Sequence, residues 1–310
     1  MVRHTRPCKF NLPRWAGLVA LTCLCAALAS CTWLDTRQRQ LALRPTPAAN
    51  ASFDGLRPGD VVLNRETAAG PDGVSERVQL WWLPHPDPHA PTLLYLHGTF
   101  RNLFQNLPKI DALREAGFAI VAVDYRGWGE STPIVPSEQS IYDDARLAWR
   151  ELEKRQPDPC MRVVYGHSLG GAVAVDLASQ LSFGNDYAAL ILESTFTSLP
   201  DVSAAAGFWG RLGAMLTTLS FDSRSKIGKV DAPILMLHGE LDRTVPIDLG
   251  RQLRDAAPSG TRFIEIPGGP HSRLHSHAPQ AYQQAMRELI EQIGAKAAPT
   301  HGRRCAGGGN

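Results

Sequence analysis

The chain has 310 residues, of which 44% are hydrophobic and 20% are charged. This composition allows one large buried core and excludes a chain that is disordered by composition. The formal net charge is +2, which is too small to indicate nucleic acid as a partner.

The first 30 residues have the pattern of an export signal. Basic residues between Arg3 and Arg14 precede an apolar run over residues 15–29, which is short for a membrane span. Residues 28–31, read as Leu-Ala-Ser-Cys, resemble the lipobox of bacterial lipoproteins. The resemblance implies a signal peptide over residues 1–30 and a lipid-anchored chain that begins at Cys31. A plain secretory peptide cleaved near Ala29 and an uncleaved anchor are the alternatives.

The same resemblance implies a location in the bacterial cell envelope, with the membrane as a partner through the lipid on Cys31. The residue after the cysteine is Thr32 and not Asp. In this respect the chain resembles lipoproteins that are sent to an outer membrane, which implies a location on the periplasmic side of that membrane. Residues 31–58 are polar and contain prolines, so we expect a tether without structure of its own.

The cysteines that remain after removal of the signal peptide exclude a disulfide framework. Apart from Cys31, only Cys160 and Cys305 are left in the mature chain. A bond between these two in an oxidising compartment is left open by the sequence.

Two short strands are predicted to open the folded domain, which we place at residues 59–295. Residues 61–63 and the alternating residues 77–83 are separated by the turn sequence Ala-Gly-Pro-Asp-Gly at residues 69–73. This arrangement predicts an antiparallel pair of strands.

Six further apolar runs alternate with helical patterns. Their continuous hydrophobicity predicts strands buried on both faces of a sheet, and they lie at residues 92–96, 118–123, 163–165, 188–192, 233–237 and 261–266. Strands that alternate with helices need right-handed crossovers. We therefore predict an α/β fold with one mostly parallel, twisted sheet and helices on both faces. In such sheets, ligand sites form beyond the carboxyl ends of the strands.

The sequence Gly-His-Ser-Leu-Gly at residues 166–170 lies between a predicted strand and a predicted helix. In this position a GxSxG sequence forms a sharp turn that holds the serine in a strained conformation with its hydroxyl exposed. Ser168 is therefore the predicted nucleophile. The backbone N–H of Leu169, at the start of the helix, is placed to stabilise a developing oxyanion. An ordinary strand-to-helix loop is the alternative interpretation.

A serine nucleophile needs a general base, and the base needs a carboxylate that orients it. His271 follows the last predicted strand on a Pro-Gly-Gly-Pro loop and is the predicted base. His275 and His277 are competitors, but they lie close to the terminal helix.

The predicted acid is Asp242, on the turn after the strand next to last. The order Ser, Asp, His along the chain is the order expected for this arrangement of strands. Glu240 and Glu193 also lie near strand ends and are the alternatives, each interpreted first as structural.

The segment between Glu193 and Val230 is longer than a crossover requires, and it contains many apolar residues and several closely spaced glycines. We interpret residues 195–229 as a small helical lid over the serine. An ordinary crossover helix with a long preceding loop is the alternative. The glycine-rich residues 296–310 are expected to form a disordered tail.

Six segments, in order, resemble the α/β-hydrolase superfamily over residues 60–295. They are His-Gly-Thr at 97–99, Asp-Tyr-Arg-Gly-Trp-Gly-Glu-Ser at 124–131, Gly-His-Ser-Leu-Gly-Gly at 166–171, Leu-Glu-Ser-Thr-Phe at 192–196, His-Gly-Glu-Leu-Asp at 238–242 and Gly-Gly-Pro-His at 268–271. Within the superfamily they are most similar to the branch of serine aminopeptidase-like esterases and eukaryotic depalmitoylating hydrolases. These motifs are specific for fold and triad but are poor guides to substrate.

The resemblance implies a role for each matching residue. Ser168 would be the nucleophile, His271 the general base and acid, and Asp242 the carboxylate that orients the histidine. The N–H groups of Thr99 and Leu169 would form the oxyanion hole.

It also implies that Asp124 and Arg126 brace the loop beside the site without reacting. One departure follows His271, where Ser272-Arg273 stands in place of the Asn-Asp that this branch often has. That difference bears on rate or substrate more than on reaction type.

The sequence thus predicts a serine hydrolase that cleaves a carboxylic ester or a thioester through an acyl-enzyme and needs no metal or organic cofactor. Apolar residues of the predicted lid favour a small-molecule or acylated hydrophobic substrate. Hydrolysis of an amide or peptide by the same triad is one alternative. The other is a non-catalytic envelope protein that uses the hydrolase fold for binding.

Overall fold

The structure is a computed structural model that describes residues 32–47, 55–67 and 73–297. The predictions for the signal peptide, for lipidation of Cys31 and for the tail after residue 297 lie outside these residues. Cys160 is disulfide-bonded, whereas Cys305 lies outside the described part of the chain.

Eight strands form one sheet within the described residues. They are β1 Val61–Glu66, β2 Arg77–Leu83, β3 Thr92–Leu96, β4 Ala119–Asp124, β5 Arg162–His167, β6 Ala189–Glu193, β7 Ile234–Gly239 and β8 Arg262–Ile266. The helices are α1 over residues 32–43, α2 Leu103–Ala116, α3 Glu138–Arg155, α4 Leu169–Ala178, α5 Leu199–Ala205, α6 Phe208–Leu216, α7 Arg224–Ile227, α8 Ile247–Ala256, α9 Leu274–His277 and α10 Pro279–Ala297.

The strands lie in the order β1-β2-β4-β3-β5-β6-β7-β8. The pairs β1–β2 and β2–β4 are antiparallel, and every other neighbouring pair is parallel. The predicted α/β fold, with an antiparallel opening and a mostly parallel sheet, is confirmed.

The core has two layers because the central strands are buried on both faces. Along β3, Leu94 and Leu96 belong to one apolar cluster with side chains of α3 and α4. Leu93 and Tyr95 belong to the other cluster, with side chains of α2 and α10. The alternation of side chains along a strand thus builds a core on each side of the sheet.

Residues 32–43 form a helix, so the expectation that the predicted tether lacks structure of its own is wrong for this part. Leu43 is fully buried in the main core. After the helix, the Gly129 N–H donates to the Thr46 carbonyl at 3.0 Å, and Pro47 pairs with Gly129 in a short bridge. Burial of one leucine and these backbone bonds hold a segment whose composition is polar.

The insertion before β7 contains the helices α5, α6 and α7, and its interpretation as a lid over the serine stays a prediction. None of the helices in the described ranges is both long enough and apolar enough to cross a membrane.

Candidate active site

Ser168 lies in the turn between β5 and α4 with φ of 55° and ψ of −120°. A positive φ is strained for a residue with a Cβ, so the surrounding structure must hold this conformation. The Ser168 N–H donates to the Glu193 carbonyl at 2.9 Å. The Thr195 hydroxyl donates to the Ser168 carbonyl at 2.9 Å. The end of β6 therefore holds the backbone of the serine on both sides.

The glycines two positions before and after the serine are required by close backbone contacts. A Cβ on Gly166 would lie 2.2 Å from the Gly170 carbonyl oxygen. A Cβ on Gly170 would lie 2.0 Å from the carbonyl oxygen of Leu96. Both distances are far below van der Waals contact, so a larger residue would push β3, β5 and α4 apart.

Two hydrogen bonds connect the three residues that the sequence predicts as a triad. The Nε2 atom of His271 lies 3.0 Å from the Ser168 Oγ. The Nδ1 atom of His271 lies 2.7 Å from Asp242 Oδ2. A donor at Nδ1 leaves Nε2 as an acceptor, which is the tautomer that a general base for the serine hydroxyl requires. The structure brings the three side chains together in the predicted order, and their catalytic roles stay a prediction.

The carboxylate of Asp242 accepts hydrogen bonds on both oxygens. Its Oδ1 accepts from the backbone N–H groups of Thr244 at 2.9 Å and Val245 at 2.8 Å, and its Oδ2 lies 3.3 Å from His238 Nε2. Burial raises the pKa of Asp242, but the hydrogen bonds from His238, His271 and the backbone together lower it below its ordinary value. The carboxylate is therefore ionised at neutral pH and able to stabilise positive charge on His271.

His238 contacts Asp242, a role that was not predicted from the sequence. Its imidazole is buried, and Nε2 also lies 2.9 Å from the Val245 carbonyl oxygen. The signal was present in the sequence, because His238 and Asp242 begin and end one motif. The sequence did not show that the histidine turns back onto the aspartate of its own loop.

His167, beside the nucleophile, contacts the loop that carries His271. Its Nε2 lies 3.2 Å from the His271 carbonyl oxygen. Burial, helped by the charges of Lys109 and His271, lowers the pKa of His167 well below its ordinary value. The imidazole is thus neutral, and its N–H donates to the carbonyl of the catalytic candidate.

The alternative acid Glu193 is occupied elsewhere. Its carboxylate is buried and forms an ion pair with Lys109. It also accepts hydrogen bonds from the hydroxyls of Tyr165 at 2.6 Å and Tyr282 at 3.1 Å. Burial lowers the pKa of Lys109, and the neighbouring Glu193 raises it. Sequence reasoning had no signal for this cluster, because its members come from four separate elements.

The other competitors also form contacts away from Ser168. Glu240 accepts a hydrogen bond from the Gly268 N–H at 3.2 Å. The His277 Nε2 lies 3.0 Å from the Pro267 carbonyl oxygen, and the His275 ring packs edge-on to a tyrosine of α10. Among the described residues, the geometry for activating the serine is formed by His271 and Asp242.

A cavity of about 280 Å³ opens at Ser168. The residues that line it include Thr99, Phe100, Arg101, Ser168, Thr244 and His271. Among the side chains of α5 and α6 that the structure describes, none lines this cavity. The helices of the insertion instead lie beside α1, with which they form a separate groove.

The two N–H groups predicted for the oxyanion hole come from chain segments that meet at Ser168. A Cβ on Gly98 would lie 3.0 Å from the Ser168 Cβ, so the chain before Thr99 passes directly against the nucleophile. Leu169 is the first residue of α4, and the first N–H groups of a helix have no partner within the helix. Their role as oxyanion donors stays a prediction.

Asp124 and Arg126 hold the loop after β4. The Asp124 Oδ1 accepts a hydrogen bond from the Leu103 N–H at 2.9 Å. Both the backbone N–H and the guanidinium of Arg126 donate to Asp144, each at 2.8 Å. These contacts tie the loop to α2 and α3, which agrees with the bracing role that the resemblance implies. Within the described ranges, no cluster of His, Cys, Asp or Glu has the arrangement of a metal site.

Comparison with known proteins gives a family and several relatives. Residues 87–224 match the family Hydrolase_4, described as serine aminopeptidase, S33. The uncharacterized protein MT2364 of Mycobacterium tuberculosis is 33% identical over 259 residues, which cover 82% of this chain and 87% of that protein. Lysophosphatidylserine lipase ABHD12 of Danio rerio is 34% identical over 183 residues, or 54% of this chain and 47% of the fish protein.

A solved structure supports the fold. The esterase Pf2001 of Pyrococcus furiosus superimposes with a TM-score of 0.62 and 15% sequence identity, covering 81% of this chain and 97% of the esterase. At this identity the likeness concerns the arrangement of the sheet and helices.

Proposed function

This chain belongs to the α/β-hydrolase superfamily and is a hydrolase, and from that premise we propose that it cleaves carboxylic esters or thioesters through an acyl-enzyme on Ser168. One observation carries the proposal, the hydrogen-bonded chain from Asp242 through His271 to Ser168 at the cavity. Serine hydrolysis requires a nucleophile, a base within reach of its proton and a group that orients the base.

In the first half-reaction the Ser168 Oγ attacks the carbonyl carbon of the substrate, and its proton passes to His271 Nε2. Negative charge develops on the carbonyl oxygen, where the N–H groups of Thr99 and Leu169 would each lower the barrier by about 3 kcal/mol. Ionised Asp242 stabilises the imidazolium. His271 then gives its proton to the leaving alcohol or thiol, and the acyl group remains on the serine.

In the second half-reaction water replaces the leaving group. His271 Nε2 takes a proton from water as the water oxygen attacks the acyl carbon, and the same donors stabilise the second oxyanion. The bond from the acyl carbon to Ser168 Oγ breaks, the serine regains its proton from His271, and a carboxylic acid is released.

We assign an acylated, hydrophobic molecule as the substrate class. The name of one relative, a lysophosphatidylserine lipase, supports this assignment. The family description, serine aminopeptidase, favours peptide or amide hydrolysis as a second candidate. The same triad cleaves an amide when His271 protonates the leaving amine.

A fluorophosphonate probe tests the activated nucleophile directly. We expect intact-mass analysis to show one adduct on the wild-type chain, at Ser168, and none on Ser168→Ala. Labelling of His271→Ala should be slower by roughly 10³-fold, because the serine then lacks its base. His89→Ala, which removes an exposed histidine on a surface loop, should label like the wild type.

Wild-type protein that is folded but remains unlabelled would contradict the proposal and favour a binding module that uses the hydrolase fold. A panel of esters, thioesters and aminoacyl amides then distinguishes the candidates. A larger kcat/KM for the amides than for the esters would support the peptidase.

We further propose that the chain is a lipoprotein of the bacterial cell envelope, anchored through Cys31 on the periplasmic side of the outer membrane. The support is the sequence of residues 28–31, together with the basic and apolar segments before it.

A further inference from the structure

Helices α1 and α6 expose an unusual number of large apolar side chains. Trp33, Leu34 and Leu41 of α1 and Leu212 and Met215 of α6 are each between 45% and 83% exposed. Single exposed apolar residues are normal on a soluble protein, whereas a cluster of them marks a contact surface. We call these five residues the apolar face.

The two helices contribute to one groove, and from this proximity we infer that the five side chains belong to one surface. A groove of about 380 Å³ lies between α1 and the insertion. It is lined by Leu34 and Leu41 of α1, and by Leu199 and Ser203 of α5 with Gly213 of α6. A hydrogen bond from the Thr218 hydroxyl to Asp35 Oδ1, 2.8 Å long, connects the end of the insertion to α1.

The apolar face continues to the mouth of the cavity at Ser168. The guanidinium of Arg44, directly after α1, lies over the ring of Phe100 at 4.4 Å from its centroid. The Thr46 hydroxyl donates to the Phe100 carbonyl at 3.2 Å. Phe100 is itself exposed and lines the cavity with Ser168.

An exposed arginine beside the tryptophan of α1 favours a lipid bilayer as the partner of the apolar face. Arg37 is exposed and lies 5.7 Å from the Trp33 ring, and Trp33, Arg37 and Leu41 recur at a spacing of four residues on one side of α1. Helices that lie at a membrane surface combine aromatic and aliphatic side chains with arginines that reach anionic headgroups. The predicted lipid on Cys31 would hold the start of α1 at the same membrane.

We propose that the apolar face docks on a phospholipid bilayer and presents the mouth of the Ser168 cavity to acylated substrates within it. This inference rests on the proposed function for the reaction, but the docking itself is a separate property of α1 and α6. The predicted anchor alone would hold the chain near a membrane in any orientation, whereas the apolar face fixes one orientation.

The test uses the full chain reconstituted in vesicles of phosphatidylethanolamine and phosphatidylglycerol. Two rates are compared, that of a short soluble ester and that of a long-chain ester carried in the vesicles. We call hydrolysis of the long-chain ester the vesicle rate and hydrolysis of the short ester the soluble rate. The double variant Leu212→Gln/Met215→Gln should lower the vesicle rate at least roughly tenfold and leave the soluble rate within about twofold of the wild type. Val61→Gln/Val62→Gln removes two exposed apolar side chains from β1 and should change neither rate.

Hydrogen exchange measures the docking without activity. Vesicles should slow exchange of the backbone amides of α6 in the wild type, whereas exchange in α10 should stay unchanged.

Equal vesicle rates for the wild type and the α6 variant, or unslowed exchange in α6, would overturn the docking. The docking would also be overturned if the wild type were a dimer, and the α6 variant a monomer with an unchanged vesicle rate. In that case a second copy of the chain, and not a membrane, would cover the apolar face. If neither the wild type nor any variant hydrolysed the soluble ester, the proposed function would be refuted. The docking would still be tested, because hydrogen exchange measures it without activity.

Discussion

Ser168 is held in a backbone conformation that residues with a side chain rarely adopt, and neighbouring residues maintain it. The end of β6 bonds both its N–H and its carbonyl. Around it, His271 reaches the hydroxyl while His167 is buried and contacts the carbonyl of His271. At the scale of single residues, one histidine thus contacts the serine hydroxyl and another contacts the loop that carries the first.

His167→Gln should reduce the loss of stability at acid pH. Burial holds the pKa of His167 well below its ordinary value, so its stability contribution is complete above the unfolded pKa of about 6.5 and is lost as the pH falls below that value. Glutamine does not titrate and can donate to the same carbonyl. Between about pH 7.5 and 5.5, the free energy of unfolding in urea should decrease by about 1 kcal/mol less in the variant than in the wild type.

His89→Gln is the control for this comparison. This side chain is exposed on a surface loop and its replacement removes no buried group, so the free energy of unfolding of this variant should change with pH as it does in the wild type. Equal decreases for His167→Gln and the wild type would contradict a neutral, buried His167.

At the scale of elements, α1 shows how a polar segment becomes part of a fold. Its composition does not indicate a core helix, and its exposed side carries apolar residues. One leucine anchors it from the buried side, and the residues after it bond to the loops that follow β3 and β4. The helix therefore lies between the predicted lipidation site and the mouth of the candidate active site.

Leu43→Ala should destabilise the protein much more than Leu41→Ala. Leu43 is 0% exposed and Leu41 is 75% exposed. Removing the buried side chain should lower the free energy of unfolding by about 2–5 kcal/mol, whereas the exposed one should change it by less than about 0.5 kcal/mol. Urea unfolding of both variants measures the difference. Equal, small effects would show that α1 does not contribute to the core.

At the scale of the molecule, the sheet assembles the site from distant parts of the chain. Ser168 and His271 are 103 positions apart in sequence, but both follow strands of one parallel sheet. Parallel strands end at a common edge, and loops after β5, β7 and β8 therefore meet there. The apolar face at the same end would let the whole molecule work on a membrane.

Cys31→Ala should abolish lipidation when the full chain is produced in a bacterium. We expect intact-mass analysis of the wild-type chain to show loss of residues 1–30 and addition of a lipid at Cys31. The variant should carry no lipid and should not be cleaved at that position. Cys25→Ala, within the predicted signal, should be lipidated like the wild type. A mature wild-type chain without lipid, cleaved elsewhere, would contradict the anchor.

Much of the fold could be predicted from local patterns. The continuous apolar runs identify the strands of the parallel sheet, because burial on both faces demands hydrophobic residues at every position. The glycines around Ser168 identify the turn, since only their lack of a side chain allows Gly170 to approach Leu96. The order of motifs then predicts which loops carry the base and the acid.

Other features could not be predicted because they depend on contacts between distant segments. The ion pair of Lys109 with Glu193, the burial of Leu43 and the proximity of α1 to α6 have no local sequence pattern. By itself, the sequence determined the strands, the nucleophile turn and the candidates for base and acid, because these follow from periodicity and backbone sterics. Only the tertiary structure showed that Asp242, and not Glu193 or Glu240, lies beside His271, and that an apolar surface lies near the cavity, because distances across the fold decide which groups meet.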